Sequence, residues 1–258
     1  MDRAVMLVFI FLAGAAVGSF ANVLIYRIPR HESIVRPGSR CPECGTPIRF
    51  YDNLPVISYL VLAGKCRSCG TGIPWRYPAV EALNGILYIA LAMRFGLGLY
   101  TLVMAPFVTS LVVLAFIDLD HRILPNIITI PGMAAGLILS FGSWPPSTLD
   151  SGIGFLAGGG FLYLLAWLYI VIRKKEGMGM GDVKLLGMIG AFLGWIALPV
   201  TVLSASLIGS VVGVVWARVK KQPVMDFPVP FGVFLAIGAL IHIFFGLELI
   251  LWYLGKIS

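Results

Sequence analysis

The sequence predicts an all-α polytopic membrane protein, with about eight transmembrane helices and one polar loop between the first two. Three observations carry this. Of 258 residues, 59% are hydrophobic and only 12% are charged, against about 25% charged in a soluble domain, and the mean hydropathy is +0.95. A soluble core of this size could not hide so much apolar surface, so lipid must face much of it, which excludes a large soluble α/β domain. The apolar residues also arrive in runs near the roughly 20 residues that a helix needs to cross a bilayer. Finally, Lys and Arg collect in alternate connections, as they do in membrane proteins of defined orientation.

The expected spans are 4–25, 80–96, 99–117, 126–142, 152–172, 183–197, 199–217 and 230–252. Backbone polar groups in lipid must bond within their own segment, so these are read as helices, and no long alternating pattern argues for a barrel. The second and sixth runs are short, and the sixth and seventh meet at Pro199, where a kink would lower the count by one. Residues 4–25 follow a single basic residue, Arg3, and lack a small-residue cleavage site, so this span is expected to stay in place rather than leave as a signal peptide. Gly158, Gly159 and Gly160 in the fifth run read as small residues that let helices approach closely. Three polar stretches interrupt the runs: 26–79, 173–184 and 218–228.

With the N-terminus outside, sixteen of the 19 Lys and Arg fall on inner segments. They are Arg27, Arg30, Arg36, Arg40, Arg49, Lys65, Arg67 and Arg76, then Arg122, then Arg173, Lys174, Lys175 and Lys184, then Arg218, Lys220 and Lys221. Only Arg3, Arg94 and Lys256 remain outside. The net charge of +7 therefore reports topology, and no nucleic-acid partner is expected. The 26–79 loop lies on the cytoplasmic side.

All four cysteines sit in that loop, as Cys41-Pro-Glu-Cys44, 21 residues, and Cys66-Arg-Ser-Cys69. Two such knuckles suit four thiolates around one tetrahedral Zn²⁺, and Gly45 and Gly70 let each backbone turn back toward the metal. Four thiolates leave no open position, so the metal would be structural; it would also staple a loop too small to build much core. A redox dithiol pair and unligated structural cysteines are the alternatives, and a reducing cytoplasm argues against disulfides.

Five of the 12 acidic residues lie in or at the edge of apolar runs: Glu81, Asp118, Asp120, Asp182 and Glu248. Charges there are costly, so each marks a candidate site. Asp118 ends the run LVVLAFI, and Asp182 closes GMGMGD before VKLLGMIGAF, both at inner ends of spans. Two carboxylates at one depth can share a proton, one activating water while the other protonates the carbonyl or leaving amine. For either residue alone, a helix end or a partner for Arg122 or Lys184 is an equally good account; the pair is not so easily explained. Gly179 and Gly181 would let an extended substrate backbone reach the Asp182 carboxylate. Asp118 and Asp120 lie about 200° apart on a helix, so both cannot face one partner, and Asp118, nearer the apolar run, is preferred. Glu81 reads as a partner for Arg76 or a substrate amine, or as an interfacial anchor. Glu248 reads as interfacial, and His31, His121 and His242 show no metal spacing.

These residues sit in longer stretches: GSFANVLIYRIP (18–29), CPECGTPIRFYDNLPVISYLVLAGKCRSCG (41–70), RYPAVE (76–81), FIDLDHRILPNIITIPG (116–132), GMGMGDVKLLGMIGAFLGW (179–195) and VPFGVFLAIGA (229–239). In this order they resemble the bacterial type IV prepilin peptidases, the leader peptidase and N-methyltransferase enzymes of pilus, competence and type II secretion systems. The G-x-G-D element is more distantly similar to presenilin-type proteases. The resemblance implies an intramembrane aspartic protease of the bacterial inner membrane, which cuts a short basic leader after Gly at the cytoplasmic face of prepilins or pseudopilins. It implies methylation of the new N-terminal residue, often Phe, with S-adenosylmethionine; no Rossmann-like fingerprint for that donor is visible, so the methyl transfer rests on resemblance alone. It places the two catalytic aspartates on Asp118 and Asp182 and the zinc ligands on Cys41, Cys44, Cys66 and Cys69. The chain then divides into a first transmembrane helix (1–25), a cytoplasmic four-cysteine zinc loop (26–79) and a helical membrane protease core (80–258). Where many members have LPD this chain has LPN, and Asn126 is read as a helix cap, a role in which Asn serves as well as Asp. Two other readings compete: a transporter with proton-carrying aspartates, which the lack of paired broken spans disfavours, and a non-enzymatic scaffold of a secretion machine.

Overall fold

The structure, a computed structural model, describes residues 2–142, 145–174, 179–221 and 229–256; parts of the polar stretches 173–184 and 218–228 lie outside these. Among the described residues the regular elements are helices: α1 (Arg3–Arg27), α2 (Ile57–Val61), α3 (Arg76–Phe95), α4 (Leu99–His121), α5 (Asn126–Leu139), α6 (Thr148–Arg173), α7 (Met180–Leu193), α8 (Ala197–Val219) and α9 (Phe231–Leu254). Each of the eight expected spans corresponds to one of α1 and α3 to α9. Six are long and apolar enough to cross a membrane. The exceptions, α5 and α7, have 14 residues each and rise only about 21 Å at 1.5 Å per residue, short of a hydrocarbon core of about 30 Å. The junction at Pro199 is no kink, because α7 ends before it: Gly194 takes φ +78° as the C-cap, and α8 begins at Ala197.

The chain forms two compact units, Met1–Val113 and Leu114–Ser258. In the first, α1 packs on α3. Backbones meet there because a Cβ on Gly14 would lie 2.9 Å from the Gly85 Cα, and one on Gly18 would lie 2.8 Å from the Glu81 Cα. Polar side chains then bond across the seam. Asn84 donates to the Gly14 carbonyl (2.7 Å) and accepts from the Thr109 hydroxyl (3.0 Å), while Asn22 donates to the Tyr77 carbonyl (3.0 Å). Such bonds hold helices together where lipid offers no hydrophobic contrast.

In the second unit α7 is the central element. Its residues from Asp182 to Ala191 are nearly all buried, whereas α6 shows lipid-type exposure along Leu156, Tyr163, Leu164 and Ile172. A helix with no exposed stripe must be wrapped by others, and α5, α6 and α9 pack on it. The closest approach is α6 to α7, where a Cβ on Gly154 or Gly190 would collide with the opposing backbone and one on Gly158 would lie 2.6 Å from the Leu186 carbonyl oxygen. The close-packing glycines of α6 are thus Gly154 and Gly158; Gly159 has only a distant neighbour and Gly160 faces open space. Ser151 adds a hydrogen bond to the Ala191 carbonyl (2.6 Å). Ser147 caps α6 by accepting from the Asp150 amide (3.2 Å).

Candidate functional site

The four cysteines gather through two short segments of the same local build. The amides of Cys41 and Cys66 donate to the carbonyls of Thr46 and Thr71 (3.0 and 2.8 Å). The amides of Gly45 and Gly70 donate back to those of Cys41 and Cys66 (3.0 and 2.9 Å). Both glycines hold a left-handed φ, +68° and +71°, which other residues adopt only with strain. All four Sγ atoms lie within 4.8 Å of one another, with Cys41 and Cys69 at 3.8 Å. Tetrahedral Zn–S bonds of about 2.3 Å place sulfurs about 3.8 Å apart, so the cluster fits a four-thiolate zinc site. A dithiol couple would instead bring the thiols together in twos. The thiols are not equivalent: hydrogen bonding with Thr46 brings Cys44 down to about 6, while Cys69 is pushed up to about 12, the backbone of Thr71 lowering it but burial and the neighbouring cysteines raising it further. Beside the cluster Arg67 clasps Asp52 through Nε and a terminal nitrogen (2.9 and 2.6 Å).

The second centre is built from three helix ends of the second unit. Asp118 lies in the last turn of α4 and is 5% exposed; Asp182 lies in the first turn of α7 and is 9% exposed. Asp120, two residues beyond Asp118, is exposed. The two buried carboxylates interact electrostatically. Asp118 also meets the start of α9, where the Val233 amide donates to its Oδ2 (3.2 Å). That amide belongs to the first turn of a helix, whose N–H groups have no partner within the helix and favour an anion. The approach requires Gly232, since a Cβ there would lie 2.9 Å from Asp118 Oδ2.

The glycines before Asp182 occupy different settings. A Cβ on Gly179, the N-cap of α7, would lie 3.9 Å from Asp182 Oδ2 and meets little else among the described residues. One on Gly181 would lie 2.9 Å from the Leu124 Cβ, a packing demand that the motif alone does not reveal. Asn126 is the first residue of α5, behind an extended Pro125 N-cap, and makes no cap. Its Oδ1 instead accepts from Lys184 Nζ (2.8 Å), tying the start of α5 to that of α7. The reading of Asn126 as a cap is therefore corrected: Pro125 already fixes the helix entry, and the side chain turns to a neighbouring cation. Glu81 accepts the Val56 amide (2.8 Å), securing a residue at φ +61°. Glu248 is exposed near the end of α9, and His31, His121 and His242 lie on separate elements, outside any metal-type cluster among the described residues.

Three participants are given no role by the sequence: Leu124, which lies in the 116–132 stretch, and Gly232 and the Val233 amide, which lie in the 229–239 stretch. For the last two Pro230-Phe231-Gly232 at the start of an apolar run is a signal, a helix start with a glycine in its first turn, like that before Asp182.

Two family models match the chain, the Bacterial Peptidase A24 N-terminal domain over residues 12–95 and the Type IV leader peptidase family over residues 105–214. Similar proteins include three described as prepilin leader peptidase/N-methyltransferase. The one from Pseudomonas putida is 38% identical over 272 residues, covering 96% of this chain and 94% of its own. The one from Myxococcus xanthus (strain DK1622) is 48% identical over 210 residues, covering 80% and 62%. The one from Pseudomonas aeruginosa is 36% identical over 266 residues, covering 94% and 91%. No solved structure matches. The cysteine module lies within the first matched region and both buried aspartates within the second, and with relatives this similar along nearly their whole length, the chain belongs to the type IV leader peptidase family.

Proposed function

We propose that this protein removes the basic leader from type IV prepilins or pseudopilins at the cytoplasmic face of the bacterial inner membrane through an Asp118–Asp182 dyad, and then methylates the new N-terminus with S-adenosylmethionine. Membership of the family makes the chain a peptidase with methyltransferase activity. The observation that carries the finer reading is the burial of two interacting carboxylates at helix ends that converge in one unit. Two carboxylates that feel each other's charge in one poorly solvated site hold one proton between them more readily than two charges. The ionised member takes a proton from water as it attacks the scissile carbonyl, and the protonated member donates to the carbonyl oxygen. On collapse of the tetrahedral intermediate, the proton taken from water passes to the leaving amine.

Among the described residues a Cβ on Gly179 would meet only Asp182 Oδ2 and the Gly181 amide nitrogen, both at 3.9 Å, which favours an extended chain beside Asp182. A leader kept inside by its positive charge, followed by an apolar helix, would place its scissile bond at the membrane edge, level with both carboxylates. S-adenosylmethionine would supply the methyl group for the freed N-terminal amine. The four cysteines would hold Zn²⁺ as a structural staple of the 26–79 loop. The remaining division, into the 1–25 helix, this loop and an 80–258 protease core, follows the same reading.

The test is a labelled prepilin incubated with the purified protein in lipid. Shortening should proceed at full rate without S-adenosylmethionine, and the methyl label should appear only on cut product. A precursor left intact would favour the transporter or scaffold reading, and methylation of uncut precursor would reverse the proposed order. Labelling of cysteines placed at 118 and 182 only from the outer side would overturn the topology.

A further inference from the structure

Between the two aspartate-bearing segments lies a side chain with no proton chemistry of its own. After α4 ends, Arg122 takes a left-handed φ of +54°, and its amide closes on the Asp118 carbonyl (2.8 Å). This turn sends Ile123 outward and returns Leu124, 9% exposed, to the interior before Pro125 starts α5. Leu124 is met there from two sides. A Cβ on Gly181 would lie 2.9 Å from its Cβ and 3.3 Å from its Cδ1. A Cβ on Gly232 would lie 2.9 Å from the same Cδ1, 3.1 Å from Cδ2 and 2.9 Å from Asp118 Oδ2. One methyl group thus lies where a Cβ on either glycine would crowd it, with the Leu124 Cβ nearer still to the Gly181 position. The first adjoins Asp182, and the second adjoins the amide that holds Asp118.

We propose that Leu124 is a positioning residue that sets the spacing of the two aspartates, and that Gly181 and Gly232 are the notches that seat it. The inference rests on the dyad reading above. Its physical basis is that interiors are close-packed, so the distance between two helix starts is set by what lies between them. The branched δ-carbons fill both notches at once. Alanine would withdraw them and free the start of α7 to shift against that of α9, while methionine keeps the volume. A shift of about 1 Å between groups that act together lowers a rate by on the order of 10²-fold.

The experiment measures kcat and KM for precursor cleavage by the purified full-length protein in lipid nanodiscs. Leu124→Ala should lower kcat about 10- to 100-fold with KM nearly unchanged, Leu124→Val should fall between, and Leu124→Met should stay close to the parent. Gly232→Ala should also lose kcat, and adding Leu124→Ala to it should restore part of that loss, because the new methyl enters space the leucine has left. Retained zinc and a cooperative thermal transition show that each variant is folded; should Leu124→Ala fail to fold, Leu124→Val and the Gly232→Ala pair decide. Full kcat in the smaller variants, a loss confined to KM, or no recovery in the double variant would overturn the inference. Asp118→Asn and Asp182→Asn run alongside: if these stay active, the dyad reading itself has failed, whereas dead aspartate variants beside a fully active Leu124→Ala would reject only the role of Leu124.

Discussion

The cysteine module and the aspartate pair are assembled in opposite ways. Each knuckle is closed by hydrogen bonds spanning five residues or fewer, such as Cys41 to Thr46 and Cys66 to Thr71, so its shape is written into a short stretch of chain. The aspartates lie on different helices, and the groups around them, Leu124, Gly232 and the Val233 amide, come from two further places in the sequence. The first centre depends on short-range hydrogen bonds and two permissive glycines, the second on helix packing. Local centres should therefore fail locally, and packed centres should fail when a distant seam is disturbed.

The largest effect separates the two centres outright. Asp118→Asn or Asp182→Asn should reduce cleavage by at least about 10²- to 10⁴-fold, since an amide cannot cycle the proton. Metal content and methylation of an already cut peptide should persist. If Asp120→Asn is inactive and Asp118→Asn active, the buried residue is not the catalytic one. Next, the protein should carry about one Zn²⁺ per chain, lost in the Cys41→Ser, Cys44→Ser double variant. Limited proteolysis should then cut between α1 and α3 and spare α3 to α9, because metal binding supplies the folding energy of such modules; metal analysis finding no zinc in reduced, carefully purified protein would sink the assignment.

A smaller effect probes the seam behind Asp182. Gly154→Ala and Gly190→Ala should each destabilise the second unit by about 1–3 kcal/mol through overpacking, whereas Gly160→Ala, which faces open space, should be neutral or slightly stabilising. Thermal unfolding in nanodiscs reads all three, and equal losses at 154 and 160 would refute the packing account. The smallest effect concerns the ion pair beside the knuckles. The hydrogen bond from Arg67 holds the Asp52 carboxyl below its ordinary range. Its contribution is therefore present above that range and disappears as pH falls through the lowered value. Asp52→Asn should loosen the loop slightly at neutral pH and make no difference in strong acid, measured by hydrogen exchange across 49–67.

The eight apolar helices α1 and α3 to α9 were legible before any folding, because apolar run length is a one-dimensional property, although only six of them are long enough to cross a membrane. So was the gathering of the four cysteines, since C-x-x-C-G carries both the thiols and the turn that brings them together. Nearness to the apolar run also singled out Asp118 over Asp120, the one buried and the other exposed in the structure. Packing decided the rest. That α7 is a short wrapped core helix follows from its neighbours, whereas an apolar run reads the same facing lipid or protein. Only the folded chain shows that Gly181 and Gly232 share a leucine, that Asn126 serves Lys184 rather than its own helix, and that α9 offers an amide to Asp118. Each joins residues far apart in the chain, and no local pattern records a distance that the backbone closes only when the helices pack.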